Sequence, residues 1–239
     1  MKGLKTLIAV LCVSLVAGSC GMSNAAKGGM IGGAAGGAVG AGLGAGIGAL
    51  VNGKKGARLG AAIGAGVGVA GGATAGALIG KKMDKAKAAA AAIAEAETFT
   101  DANGLEGVKV TFDNGILFNV GKSDLKSDAM ASLRKFATNV LNVYTDCDVN
   151  IYGFASSDGS DATNLKLSQS RANSVSKYLT GNCGVNTKQI KEAKGFGEDP
   201  NYLIYDANGK ENLAASRRVE VYLYASEAMI KAAENGTLQ

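Results

Sequence analysis

Few side chains in this sequence could do chemistry, and their types narrow what the chain can do. Histidine is absent, which removes Ser–His and Cys–His nucleophile pairs, imidazole general acids and histidine metal sites. What remains is a polar cluster in the C-terminal half: Ser156, Asp158, Asp161, Asn164 and, further along, Arg171. A guanidinium offers a carboxylate two parallel N–H donors, and a nearby anion would complete the match to a zwitterion. Plainer readings exist, in which Arg171 pairs with Asp158 or Asp161 at the surface and Asn164 caps a loop. Asp158 and Asp161 could in principle act as acid and base, but no second element of a catalytic site accompanies them. The chain is therefore expected not to be an enzyme, and to use no cofactor or metal.

The formal net charge is +5. This is too mild, and too free of basic stripes interleaved with aromatics, to imply nucleic acid. Composition shifts sharply twice along the chain. Residues 28–80 are almost wholly glycine, alanine and aliphatic, and ordinary globular composition begins only after about residue 105. A folded core is expected there, in a stretch long enough to need no disulfide or metal.

The opening MKGLKTLIAVLCVSLVAGSC has a basic start at Lys2 and Lys5 and an apolar run from Leu7 to Val16. Ala17, Gly18 and Ser19 follow it, then Cys20. The run is too short to span a bilayer. Small residues directly before a cysteine resemble the lipobox of bacterial lipoproteins, which implies a signal peptide over residues 1–19. It also implies lipidation of Cys20 and a short lipidated N-terminus over 20–27. Ala17 stands where leucine is commoner. The alternative is ordinary secretory cleavage, with Cys20 lost or free.

Glycine then recurs every fourth residue, from Gly28 to Gly48 and again from Gly56 to Gly80, and LGAGIG at Leu43 returns as IGAGVG at Ile63. The polar VNGKKGAR between the ladders reads as a turn, so residues 28–80 are expected to form a helical hairpin. Each interior glycine costs about 0.8–1.0 kcal/mol against alanine, so something must offset the loss. A spacing of four puts glycines on one stripe where backbones approach closely, as in lipid-embedded small-xxx-small pairs, and it allows a homo-oligomer through the ladders. Residues 81–104, opening KKMDKAKAAAAAIAEAET, are expected to be an alanine-rich helical linker.

After Gly107 the pattern alternates in kind. VKVTF and ILFNV read as strands, Ser127 to Tyr144 as a helix, DVNIYGFA as a strand and Asp161 to Leu179 as a helix capped by Ser160. A strand precedes GFGEDP, and RRVEVYLYA closes the sheet with Val219, Val221 and Leu223 on one face. The fold class expected is α/β, a two-layer sandwich with a mixed β-sheet packed on helices over residues 105–226. Residues 227–239 are expected to be a tail with a short exposed helix.

GFASSDGSDATNLKLSQSRANSVSKYL resembles the central signature of OmpA-like domains. GVNTKQIKEAKGFGEDP and AASRRVEVYL are similar to that family's later segments, and TFDNGILFNVGKSDLKSDA to its opening. The resemblance implies a peptidoglycan-binding domain of the peptidoglycan-associated lipoprotein type. Such a domain holds the diaminopimelate of the peptide stem with an arginine for its carboxylate and an aspartate for its ammonium. Arg171 and Asn164 occupy the family's arginine and asparagine positions. Ser156 stands where the aspartate belongs, and Asp158 and Asp161 lie in the same loop. Of the neighbouring Arg217 and Arg218, Arg218 is the expected ligand contact and Arg217 the expected strand end.

The reading is a tether in the outer membrane, with its C-terminal domain in the periplasm. Its partners would be peptidoglycan and, through the lipid and the hairpin, the membrane. The competing reading is a membrane-active or pore-like assembler whose ladders oligomerise while the domain only anchors them. Cys147 and Cys183, each at the end of a predicted helix, are expected to form a disulfide in an oxidising envelope; the alternative is two buried free thiols.

Overall fold

The computed structural model describes residues 72–101 and 104–238. The signal segment, Cys20, the first glycine ladder and the second as far as residue 71 lie outside the described residues.

Alternating apolar residues set the centre of the fold. Strand β2 (Glu106–Asp113) buries Val108, Val110 and Phe112. Strand β5 (Arg218–Ala225) buries Val219, Val221 and Leu223, as its period-two pattern requires. Three further strands, β1 (Glu95–Thr100), β3 (Cys147–Phe154) and β4 (Ile190–Gly195), complete a five-stranded sheet of order β1-β2-β5-β3-β4. Only the β3–β4 pair is parallel, so the sheet is mixed. Helices pack on it, and the expected α/β class and mixed sheet are what the structure shows.

The expected linker is not a spacer. Helix α1 (Gly72–Ala91) buries Ala75, Ile79, Met83, Ala86 and Ala90 completely or nearly so, against the sheet and against the C-terminal helix. Two ladder glycines, Gly76 and Gly80, lie on this buried face. The rest of the linker becomes strand β1, paired antiparallel with β2 from Glu95↔Thr111 to Thr100↔Glu106. The apolar i, i+4 series Ala75, Ile79, Met83 explains why α1 packs, since it puts an apolar stripe on one face. Among the described residues, no helix is long and apolar enough to cross a membrane.

The ILFNV strand is also absent. Asp113 caps a single helical turn, α2 (Asn114–Leu117), with its Oδ1 accepting from the Gly115 N–H at 2.5 Å. The chain then loops to helix α3 (Ser127–Phe136), which continues as a π-helical turn over Ala137–Leu141. Helix α4 (Asp161–Asn182) follows β3, and a single turn, α5 (Leu213–Ser216), precedes β5. The C-terminal segment is not an exposed tail: helix α6 (Glu227–Glu234) buries Met229, Ile230 and Ala233 and packs on α1.

Helix α4 sits unusually close to the sheet. A Cβ on Gly153 would lie 2.3 Å from the Ser168 carbonyl oxygen, and one on Gly195 would lie 2.2 Å from the Gln169 nitrogen. These two glycines are register partners across β3 and β4. Gln169 then binds the β4 backbone directly, accepting from Gly195 N–H at 3.0 Å and donating to the Ala193 carbonyl at 2.9 Å. Gly195→Ala must push backbone against backbone, so it should cost at least about 1–3 kcal/mol. Urea denaturation would show this as a lower midpoint at unchanged slope.

Cys147 and Cys183 are not bonded to each other; both are free thiols. The expected disulfide is absent, and the two thiols have different surroundings. Cys147 is buried at the start of β3 near Asp146 and Lys82, whereas Cys183 ends α4 beside Arg134 and Tyr178. Burial, with Asp146 adding to it, pushes the Cys147 thiol up to about 12. We therefore expect two thiols on titration of unreduced, denatured residues 72–239. In the native state Cys147 should resist alkylation at neutral pH, because the thiolate is the nucleophile.

Candidate functional site

The C-terminal ends of β2 and β3, the turn α2 and the first half of α4 enclose a cleft of about 420 Å³. Helix α4 makes it possible with one stripe of two characters. Asn164, Ser168 and Arg171 are buried in its first half, and Val175, Tyr178 and Leu179 in its second. The apolar half anchors the helix to the core, and the polar half turns the same face into a wall of the cleft.

Arg171 is the dominant group. It is 3% exposed, and its Nε donates to the Lys122 carbonyl at 3.0 Å. With the Asn114 amide turned oxygen-inward, Oδ1 accepts from Nη1 at 2.8 Å and Nη2 at 3.1 Å. The guanidinium lies over the Phe118 ring, 5.3 Å from its centroid. Among the described residues no carboxylate pairs with it. Burial and the neighbouring Arg217 bring its pKa down to about 10, which still leaves it charged at neutral pH. A buried cation held by neutral acceptors is costly, and an anion entering the cleft would relieve that cost. The plainer reading, a surface pair with Asp158 or Asp161, is not what the structure shows.

The remaining expected residues gather around Arg171, apart from Asp161 and Arg218. Ser156 is 2% exposed and lines the cleft, its Oγ 3.4 Å from Nη1 of Arg217. Asp158 also lines it, but its carboxylate is paired with Arg217 at 3.2 Å. Asn164 fixes the loop that carries both. Its amide donates to the Ser156 carbonyl at 3.2 Å and the Asp158 carbonyl at 2.9 Å, and closely to Glu198. Gly159 lets that loop turn at φ +109°. Ser157 pins it from outside, its N–H and hydroxyl both donating to Glu211. Ser160 sits at the N-cap as expected, but its hydroxyl meets Thr163 rather than a backbone N–H. Asp161 is exposed and is not among the cleft residues.

Arg218 also stays out of the cleft, and the two arginines exchange their expected places. Arg217 lines the cleft. Arg218 instead lies on the opposite side of the strand, buried over Phe154, with Nε on Glu220 at 2.7 Å and Nη1 on the Tyr202 and Ser216 carbonyls. Consecutive residues at a strand start face opposite ways, so only one of the pair could reach the cleft. Asp113, Asn114, Phe118 and the Lys122 carbonyl also escaped the sequence reading, which took ILFNV, Phe118 included, as a strand and gave no role to the residues on either side. The Asn114-Gly115 dipeptide, a turn signal, could have found it.

Residues 117–217, which hold most of this cleft, match the family model described as OmpA family. Residues 117–217 form an OmpA-like domain. Outer membrane porin F of Pseudomonas aeruginosa is 33% identical over 134 residues, covering 54% of this chain and 37% of that protein. Outer membrane protein A of Serratia odorifera is 34% identical over 122 residues, covering 46% of this chain and 49% of that protein. The chain thus spans about half or less of the length of these relatives. Among solved structures, the peptidoglycan-associated lipoprotein from Burkholderia pseudomallei aligns at 24% identity and TM-score 0.38, over 46% of this chain and 88% of that one. The OmpA-like domain here is framed by elements outside the matched range, namely α1, β1, β2, β5 and α6.

Proposed function

We propose that the protein is a non-catalytic tether, anchored in the outer membrane by lipid on Cys20. Its OmpA-like domain faces the periplasm and holds the diaminopimelate end of peptidoglycan stem peptides. The observation that carries this reading is Arg171, a buried guanidinium without a carboxylate, presented to an open cleft in a domain of this family. Its charge and the Nη N–H donors left over from Asn114 suit the free carboxylate of the stem.

The topology supports a tether. The cleft lies at the Asp113 and Phe154 ends of β2 and β3. Helix α1 runs towards that end, since its C-terminus leads into Glu95 opposite Thr111, while Lys82 midway along it pairs with Asp146 just before β3 begins. The chain therefore enters α1 at the pole remote from the cleft. A lipid-anchored N-terminus and a wall ligand would then sit at opposite ends of the domain. The assembler reading loses two rungs, because Gly76 and Gly80 are committed to the domain's own packing.

Three variants test the proposal. Cys20→Ser should leave the membrane fraction and escape palmitate labelling, and equal labelling would refute the anchor. Ser156→Asp restores a carboxylate at the family's position and should strengthen retention on purified peptidoglycan severalfold; unchanged or weaker retention would count against this cleft as the ammonium site. Deleting residues 28–71 should leave wall binding intact, whereas the assembler reading requires loss of oligomers.

A further inference from the structure

We propose that Asp113 supplies the negative charge that Ser156 lacks, receiving the ammonium of a zwitterionic stem terminus whose carboxylate is held by Arg171. The inference rests on the wall-binding reading and assigns a specificity residue within it. Ser156 is neutral, so another group must balance an ammonium in this cleft. The other nearby carboxylates are committed. Asp158 is paired with Arg217 at 3.2 Å, Glu198 accepts from Asn164 and Glu211 accepts from Ser157.

Asp113 differs from all of these. It is exposed, it lines the cleft, and it precedes Asn114, whose amide faces the Arg171 guanidinium. Among the described residues no cation pairs with it. Its two cationic neighbours are engaged elsewhere. Arg218, its register partner across β5, is held by Glu220, and Lys126 donates to the Gly115 carbonyl at 2.9 Å. One carboxylate oxygen, Oδ1, caps α2 by accepting from the Gly115 N–H, and the carboxylate lines the cleft. Adjacent residues at the end of one strand thus present an anion and, through Asn114, the oriented guanidinium, which is the charge pattern that a carboxylate and an ammonium on one carbon would meet.

The test is calorimetric titration of the full chain in detergent micelles with two probes. They are meso-diaminopimelate and pimelate, which has the same two carboxylates and no amines. The parent should bind diaminopimelate roughly three- to tenfold more tightly, the range expected of an exposed charge-assisted contact. Asp113→Asn keeps a capping oxygen for α2, so it should remove the preference for diaminopimelate over pimelate; Asp113→Glu should restore it. The proposal is overturned if Asp113→Asn retains the preference, or if Asp158→Asn abolishes it while Asp113→Asn does not. A parent that binds neither probe refutes the wall-binding reading itself, an outcome distinct from a parent that binds both equally, which refutes only the role of Asp113.

Discussion

A chain that begins at residue 92 should fail to fold stably, although the whole matched OmpA-like segment is still present in it. Removing α1 withdraws Ile79 and Met83, each 0% exposed, together with Ala75, Ala86 and Ala90. Burial of each large side chain is worth about 1.5–3 kcal/mol, and the alanine methyls add further fractions. The loss also uncovers Met229, Ile230 and Ala233 of α6, which pack on α1, and it breaks the Lys82–Asp146 pair. Together these rival the whole net stability of a domain, about 5–15 kcal/mol. Comparing urea unfolding of residues 72–239 with that of 92–239 measures it, and equal midpoints would show that α1 is only a spacer. The single variant Met83→Ala should cost about 2–5 kcal/mol by the same measurement.

Replacing Arg171 by alanine should abolish wall binding. A charge-assisted hydrogen bond is worth about 1.5–3 kcal/mol, and Arg171 keeps Nη N–H donors beyond those taken by Asn114, so the loss should be at least about tenfold to hundredfold. Because Arg171 also holds the Lys122 carbonyl and lies over Phe118, a loss of binding in this variant could arise from a collapsed loop. Arg171→Lys separates the cases. It keeps the charge and much of the packing but cannot make the fork, so it should still bind at least about tenfold more weakly. Wild-type affinity in the lysine variant with an intact urea midpoint would mean that charge alone suffices and that the fork is not used.

How much of this was legible depended on whether the pattern was local. Strand β5 and helix α4 were readable because period-two and helical repeats in RRVEVYLYA and in Leu167 to Leu179 report directly on a buried face. Arg171, Asn164, Ser156 and Asp158 were found through the resemblance to OmpA-like domains, and they line one cleft. The alanine-rich stretch misled because high helix propensity says nothing of what a helix packs against. The facts that α1 closes the core and that residues 95–100 join the sheet are tertiary choices. Arg217 and Arg218 were exchanged because strand phase at the first residue of β5 cannot be read from an Arg-Arg pair. The disulfide failed because compartment and cysteine count give no distance.

The measurement that bears most directly on the account is sedimentation of the purified full chain with isolated peptidoglycan sacculi, with free diaminopimelate added as competitor. The account predicts that the protein sediments with the sacculi, that diaminopimelate releases it in a concentration-dependent way, and that Arg171→Ala remains in the supernatant throughout. Retention of Arg171→Ala on the sacculi, or failure of the parent to sediment at all, would contradict it.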